Sequence, residues 1–308
     1  MKIAVMGAGS AGGYLGAMLA IAGNQVTLVA RGTHLAAINR SGLRLITDDR
    51  DLILRSPQDI TAVEDPAALG PMDLVLLTVK TYQTGQAVAA MSPLTGPETP
   101  VLCLQNGIDS YQEAANALGQ AHVLPGAVYL EASVAQPGVV CQSGDVVRVV
   151  FGELDGSDSL RGRRIQDAFR AARIDAEFTQ DVRKTLWSKF IFIATMAGVT
   201  SVSRRTMAQL MPETHWREVI IGCLREIDAV GRASGVDLAP GIVDQIIEYI
   251  DGSLDALSAS MHADLLAGRP LELEALNGAV VRAGRASGTP TPINDVFYAL
   301  LLPYIDGA

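Results

Sequence analysis

MKIAVMGAGSAGGYLGAMLAIAGNQVTLVAR, residues 1–31, runs through a strand, a glycine turn, a helix and a second strand in one pass. Lys2 to Met6 is a short apolar run that leads into Gly7, Gly9 and Gly12, a G-x-G-x-x-G pattern with a strand before it and a helix after it. Gly7 permits a tight turn, Gly9 lets the backbone approach a pyrophosphate, and Gly12 lets the helix pack closely on the strand. Ser10 and Ala11 complete the turn, and the start of a helix there would face an anion. The expectation is a dinucleotide site built on Gly7, Gly9, Ser10, Ala11 and Gly12.

Residues 3–30 carry no charged side chain and follow a lysine, a pattern shared with signal peptides and membrane anchors. Glycine argues against that reading. Gly7, Gly9, Gly12, Gly13, Gly16 and Gly23 interrupt the stretch, and Asn24 and Gln25 suit a turn between helix and strand. The full chain of 308 residues has room for two domains with substantial cores. Its 24 Lys+Arg against 33 Asp+Glu give a net charge of -9, which disfavours nucleic acid and anionic membrane as partners. Cys103, Cys141 and Cys223 are widely spaced and odd in number, which fits neither a disulfide framework nor a C-x-x-C metal site. A reducing cytoplasm and no metal are expected.

Further along, Gly32 to Arg40 reads as a second helix, and Leu43 to Thr47 and Leu52 to Leu54 as short strands. Met72 to Val79 and Val101 to Leu104 are continuous apolar runs of strand length, as expected for central parallel strands covered on both faces. They deliver Lys80 and Gln105-Asn106-Gly107 to the C-terminal edge, where ligands of open α/β sheets bind. His122 to Phe151 reads as several short strands with turns at Pro137-Gly138 and Ser143-Gly144-Asp145. Ser159 to Ala172 reads as a helix and Glu177 to Phe178 as a final edge strand. Beyond about residue 180 the strand signals stop. Trp216, Val219, Ile220, Cys223, Leu224, Ile227 and Val230 recur at helical spacing, and further helices are expected over Gly241 to Ser253, Asp255 to Ala267, Leu271 to Ser287 and Asn294 to Leu302. The expected division is therefore a dinucleotide-binding α/β domain over residues 1–180 and an all-helical domain over 181–308, packed directly with a cleft between them. The apolar helical half would suit a homodimer interface or a monomer's core equally well.

The second strand ends Leu28-Val29-Ala30-Arg31, where NAD sites of this type usually place an acid that binds the ribose 2'-hydroxyl. An acid would repel a 2'-phosphate, whereas Arg31 can hold it through charge-assisted bonds, so the sequence favours NADP(H). Thr33 could add a hydroxyl. A solvated charge at a strand end is the plainer alternative for Arg31.

In these residues the chain resembles the ketopantoate reductases (2-dehydropantoate 2-reductases) over nearly its whole length. The likeness rests on GAGSAGG with Arg31, Thr78-Val79-Lys80, Leu104 to Gly107, Trp187-Ser188-Lys189, and a C-terminal block. That block is Ser260-Met261-His262-Ala263-Asp264, Gly268-Arg269, Glu272 and Asn277-Gly278. The resemblance implies a Rossmann-type domain followed by a helical domain, and an NADPH-dependent oxidoreductase that turns a 2-oxo acid into a 2-hydroxy acid, within pantothenate biosynthesis. It implies Lys189 and Glu272 as the catalytic pair, and Asn106 and Ser260 as substrate-binding residues. Lys80, Asn106 and Glu272 then join the glycine turn and Arg31 in binding cofactor.

The residues support the same chemistry. A hydride arriving at a ketone carbon leaves charge on oxygen, so a positioned acid must supply a proton. Lys189 precedes the uncharged run Phe190 to Ser203, which is too apolar for a surface helix, so its ammonium must emerge at a cleft or find a partner. Burial would lower its pKa and a nearby carboxylate would raise it, and the sequence leaves that balance open. Glu274 is expected to face solvent, Asp264 to orient its neighbours or pair with a base, and His262 to lie on the surface. One departure stands out: the family carries asparagines four and eight residues after the lysine, where this chain has Ile193 and Ala197. An alternative is therefore a relative acting on a less polar 2-oxo acid. A second alternative is a non-catalytic NADP(H) sensor.

Overall fold

The computed structural model describes residues 1–254, 257 and 259–307. The chain divides into two units, residues 1–105 with 110–182, and residues 106–109 with 183–308.

In the first unit the elements follow in the order β1 (Lys2–Met6), α1 (Ser10–Ile21), β2 (Gln25–Val29), α2 (Gly32–Ser41), β3 (Leu43–Ile46), β4 (Asp51–Leu54), β5 (Thr61–Val63) and β6 (Leu74–Leu77). They continue as α3 (Thr84–Met91), β7 (Val101–Cys103), α4 (Tyr111–Leu118), β8 (Val123–Gln136), β9 (Val139–Phe151), α5 (Leu160–Ala171) and β10 (Asp175–Phe178). One ten-stranded sheet runs β4-β3-β9-β8-β7-β6-β1-β2-β5, with β10 beside β9. β5, β2, β1, β6, β7 and the start of β8 are parallel.

Strand alternation builds two cores. Ile3, Val5, Leu74, Leu76 and Leu102 share one cluster with Leu15 and Leu19 of α1. Their neighbours Ala4, Met6, Val75, Leu77 and Val101 share another with Val88 and Met91 of α3. Both faces of β1, β6 and β7 are thus covered, which is why these strands read as unbroken apolar runs. The register pairs Met6 with Val29 and with Leu77, and Leu77 with Cys103. The residues that follow, Gly7, Arg31, Thr78 to Lys80 and Gln105, therefore leave the sheet at one C-terminal edge.

Two expectations need correction. His122 to Phe151 is one long antiparallel hairpin, β8 against β9, rather than several short ones. Pro137-Gly138 makes its turn, while Gly144 lies in a register shift that moves the partner of Leu130 to Val147 and that of Glu131 to Ser143, so the second turn signal marks a bulge. β6 is also shorter than Met72 to Val79, because Met72 and Thr78 bond to Leu94 and Met6 outside the strand ladder.

In the second unit, α6 (Val182–Ser203) is followed by α7 (Met207–Leu210), α8 (Thr214–Ala233), α9 (Ile242–Gly252), α10 (Ser260–Leu266), α11 (Asn277–Ser287) and α12 (Pro292–Leu301). α6 is long and apolar enough to cross a membrane by length and composition alone, but 67% of its apolar window is buried inside the protein. Phe190, Ile191, Ala194 and Ala197 of α6 pack with Ile220, Cys223, Leu224 and Ile227 of α8, the expected apolar face of that helix, and with Val280 of α11 and Phe297 of α12. A buried polar brace crosses this core. Asn277 Nδ2 donates to Ala194 O (3.2 Å) and Asn294 Oδ1 (3.0 Å), and Glu226 accepts from the first N–H groups of α12 at Ile293 (2.8 Å) and Asn294 (3.1 Å).

The helix expected over Leu271 to Ser287 begins only at Asn277. Leu271 gives its N–H to Ile305 O (2.9 Å), and Leu271, Glu272 and Leu273 are all buried, a burial pattern that one helical face cannot produce. Of the helix expected from Asp255 to Ala267, the described part is Ser260–Leu266, and Asp255, Ala256 and Ser258 lie outside the described residues.

The glycine turn predicts a contrast in stability. A Cβ on Gly12 would stand 2.0 Å from Gly7 O and 2.4 Å from Thr78 Oγ1, while one on Gly9 meets nothing within 4 Å. Gly12→Ala should destabilise the cofactor-free protein by about 1–3 kcal/mol, and Gly9→Ala should leave its thermal midpoint close to the parent's. Equal losses in the two variants, measured by thermal unfolding, would contradict this packing.

Candidate active site

The glycine turn has the shape its sequence predicts. Gly7 sits at φ +105°, in the left-handed region, and a Cβ there would stand 2.8 Å from Val79 N. Gly9 is the N-cap of α1 at φ -68°, no side chain caps the helix start, and Gly13 N opens the helical ladder by donating to Gly9 O (2.7 Å). Ser10, Ala11 and Gly12 thus form an uncapped first turn whose N–H groups suit a phosphate, and the open space at Gly9 suits its approach. These features fit a dinucleotide. β2 stops at Val29, two residues short of Arg31, which is the exposed N-cap of α2, and its Nη1 donates to Gln86 Oε1 of α3 (2.9 Å). Thr33 is exposed one step into α2. Lys80 is half-buried at the N-cap of a short 3-10 turn, Thr81–Gln83.

In the helical unit, α6 presents Lys189 to the segment 106–109. Lys189 Nζ donates to Asn106 Oδ1 at 2.9 Å, and Glu272 is buried at 4% exposure. Lys189 is half-buried as a whole. Burial pushes its pKa down to about 8, and the charge of Glu272 works against that fall. The balance that the sequence leaves open therefore tips towards burial. An ammonium poised this close to neutral pH can both donate a hydrogen bond and release a proton.

Ser260 is exposed at the start of α10. Asp264 is buried and accepts from Arg269 Nε (2.7 Å), so it pairs with a base. Glu274 is exposed and bound to Arg282 and Tyr298. His262 is not a surface residue: it is half-buried, burial lowers its pKa, and its Nε2 has no partner among the described residues. Ile193 is half-buried one turn beyond Lys189, and Ala197 is buried at 3% exposure. Sequence reasoning gave no role to Gln86 or to Gln105, which is buried at 6% exposure beside Asn106. Gln105 belongs to the Leu104 to Gly107 motif, but its hydrogen bonds, like that of Gln86, are tertiary and leave no mark in the sequence.

Comparison with known proteins settles the lineage. The family model described as "Ketopantoate reductase PanE/ApbA" matches residues 3–156, and its C-terminal counterpart matches residues 181–304. The chain belongs to the ketopantoate reductase family. It is 31% identical to the 2-dehydropantoate 2-reductase of Mesorhizobium japonicum, over 98% of this chain and 97% of that protein. The crystal structure of a PanE/ApbA family ketopantoate reductase from Ralstonia eutropha is 34% identical, with a TM-score of 0.90 over 99% of this chain and 98% of that one. A D-mandelate dehydrogenase solved with NADH and anilino(oxo)acetate, 23% identical, shares the fold with a TM-score of 0.89 over 99% and 98% of the two chains. As a ketopantoate reductase family member, the chain is an NADP-dependent oxidoreductase acting on a CH-OH/C=O couple, and it reduces 2-oxo acids.

The Lys189 environment predicts a pH profile. The proton-donating form dominates below about 8, so kcat/KM for reduction should fall as pH rises through that value. Glu272→Gln removes the charge that holds the lysine pKa up, so the midpoint should move to lower pH. A midpoint that stays put or rises, in rates of NADPH oxidation against pH, would contradict the pairing.

Proposed function

We propose that the physiological reaction is the reduction of ketopantoate to pantoate, a cytoplasmic step of pantothenate biosynthesis, with residues 1–180 holding NADPH and residues 181–308 holding the substrate. The observation that carries this reading is the 2.9 Å hydrogen bond from Lys189 to Asn106 beside buried Glu272. Arg31 takes the 2'-phosphate, the glycine turn takes the pyrophosphate, and Lys80 lies toward the nicotinamide end, with Asn106 and Glu272 completing the contacts to the cofactor. When bound, the nicotinamide supplies a hydride.

The residues do the rest. Asn106 accepts one N–H of the ammonium and so fixes the direction of the others. The substrate's keto oxygen accepts another, and as negative charge builds on that oxygen Lys189 transfers the proton, leaving a hydroxyl group and a neutral lysine that recovers its proton from solvent. Glu272 keeps the lysine protonated at neutral pH against the pull of burial. Ser260, at an exposed helix start, would bind the substrate carboxylate.

A second reading has its own support. Ile193 follows Lys189 by one turn and Ala197 by two, and neither can hydrogen-bond a hydroxylated tail. Losing such bonds changes substrate preference by about tenfold or more. The shared fold of the D-mandelate dehydrogenase leaves the tail undecided. A panel of 2-oxo acids with NADPH separates the readings. Ketopantoate should be turned over with a kcat/KM above that of simple branched 2-oxo acids, about tenfold or more. The reverse order would assign the less polar substrate, and no NADPH oxidation with any 2-oxo acid would contradict both.

A further inference from the structure

Residues 78–84, which carry Lys80, are tied down by buried and half-buried hydrogen bonds that the reaction does not use. Upstream, Thr78 N donates to Met6 O (3.0 Å) and Thr78 Oγ1 to Gly7 O (2.8 Å), joining the segment to the glycine turn. Downstream, Gln105 Nε2 donates to Val79 O (2.9 Å) and to Thr84 Oγ1 (2.8 Å), and Thr84 Oγ1 donates in turn to Thr81 O (2.7 Å). Gln83 N closes the turn on Lys80 O (2.8 Å). The Val79 carbonyl belongs to the peptide that leads directly into Lys80, so Gln105 grips the chain on both sides of that lysine.

The orientation of the Gln105 amide is fixed by its partners. With nitrogen and oxygen exchanged, two carbonyl-type acceptors would face each other at the Val79 contact. As placed, Nε2 meets both partners, and Oε1 is buried with no partner among the described residues. A buried side chain that leaves its acceptor unpaired in order to place its donors is built for donation. Gln105 and Thr84 are 6% and 2% exposed, so water is kept from the bond between them, while the bond to the half-buried Val79 is partly shielded.

We infer that Gln105 is a positioning residue for Lys80, holding the Val79 to Thr84 turn so that the lysine stands at the cofactor edge of the sheet. This rests on the reading of Lys80 as a cofactor-binding residue. The test measures NADPH dissociation constants by calorimetry on the full-length protein for Gln105→Met, which keeps the side-chain length but loses the donors, for Lys80→Ala, and for the double variant. Thermal midpoints of the cofactor-free forms serve as controls. Gln105→Met should weaken NADPH about tenfold, the loss expected when a buried hydrogen bond is removed. Lys80→Ala should weaken it at least as much, and the double variant should bind no worse than Lys80→Ala alone. Losses that multiply in the double variant, or parent-like binding by Gln105→Met, would overturn the inference while leaving Lys80 in place. Parent-like binding by Lys80→Ala would overturn the Lys80 reading and the inference with it. If Gln105→Met does not fold, Gln105→Glu takes its place, with a carboxylate against the Val79 carbonyl and the same expected outcomes.

Discussion

A lysine ammonium that burial holds well below its ordinary pKa, at the head of the uncharged stretch of α6, is the constraint to which the helical unit is fitted. A fall from 10.5 to about 8 corresponds to about 3 kcal/mol of disfavoured charge. Because the folded pKa lies below the unfolded one, that cost is fully present below about 8 and is relieved as pH rises towards 10.5. Three features make it tolerable: the Asn106 carbonyl oxygen as acceptor, the charge of Glu272, and the hydrophobic packing of α6 against α8, α11 and α12. The brace from Asn277 to the Ala194 carbonyl, one turn and a half beyond Lys189, keeps the helix in register with its neighbours. The proposed proton transfer to a carbonyl oxygen calls on a lysine whose pKa lies this close to neutral pH.

In the first unit the governing feature is strand register. Four parallel strands, β2, β1, β6 and β7, end together, so the glycine turn, Arg31, Thr78 to Lys80 and Gln105 come from different parts of the chain to one edge. Small residues permit the close approaches, as at Gly12 against the Gly7 carbonyl, and side-chain donors fix the turns. The anion-ready helix start of α1 is the local expression of that arrangement.

What could be seen from sequence follows from how local each signal is. G-x-G-x-x-G with a strand before it and a helix after it predicts the turn because the glycines' own conformations require it. The runs in β6 and β7 predict double burial because no polar residue interrupts them. The α8 face was visible in the spacing of Ile220, Cys223, Leu224 and Ile227. Hidden features depend on distant partners: the bulge at Gly144 on the facing strand, the non-helical Leu271 to Leu276 on Ile305, the burial of His262 on its packing, and the roles of Gln86 and Gln105 on hydrogen bonds across the sheet edge. The bond from Lys189 to Asn106, 83 residues apart, is no expectation of the sequence at all: the family resemblance puts both residues in the site but pairs the lysine with Glu272, and periodicity cannot join residues at that separation.

The most direct test of this account is the titration of Lys189 itself, followed by NMR of isotopically labelled lysine side chains in the full-length protein and assigned with Lys189→Arg. The expected result is a lysine signal that titrates near 8 and is lost in that variant. A Lys189 signal that titrates near the ordinary lysine value of 10.5 would contradict it.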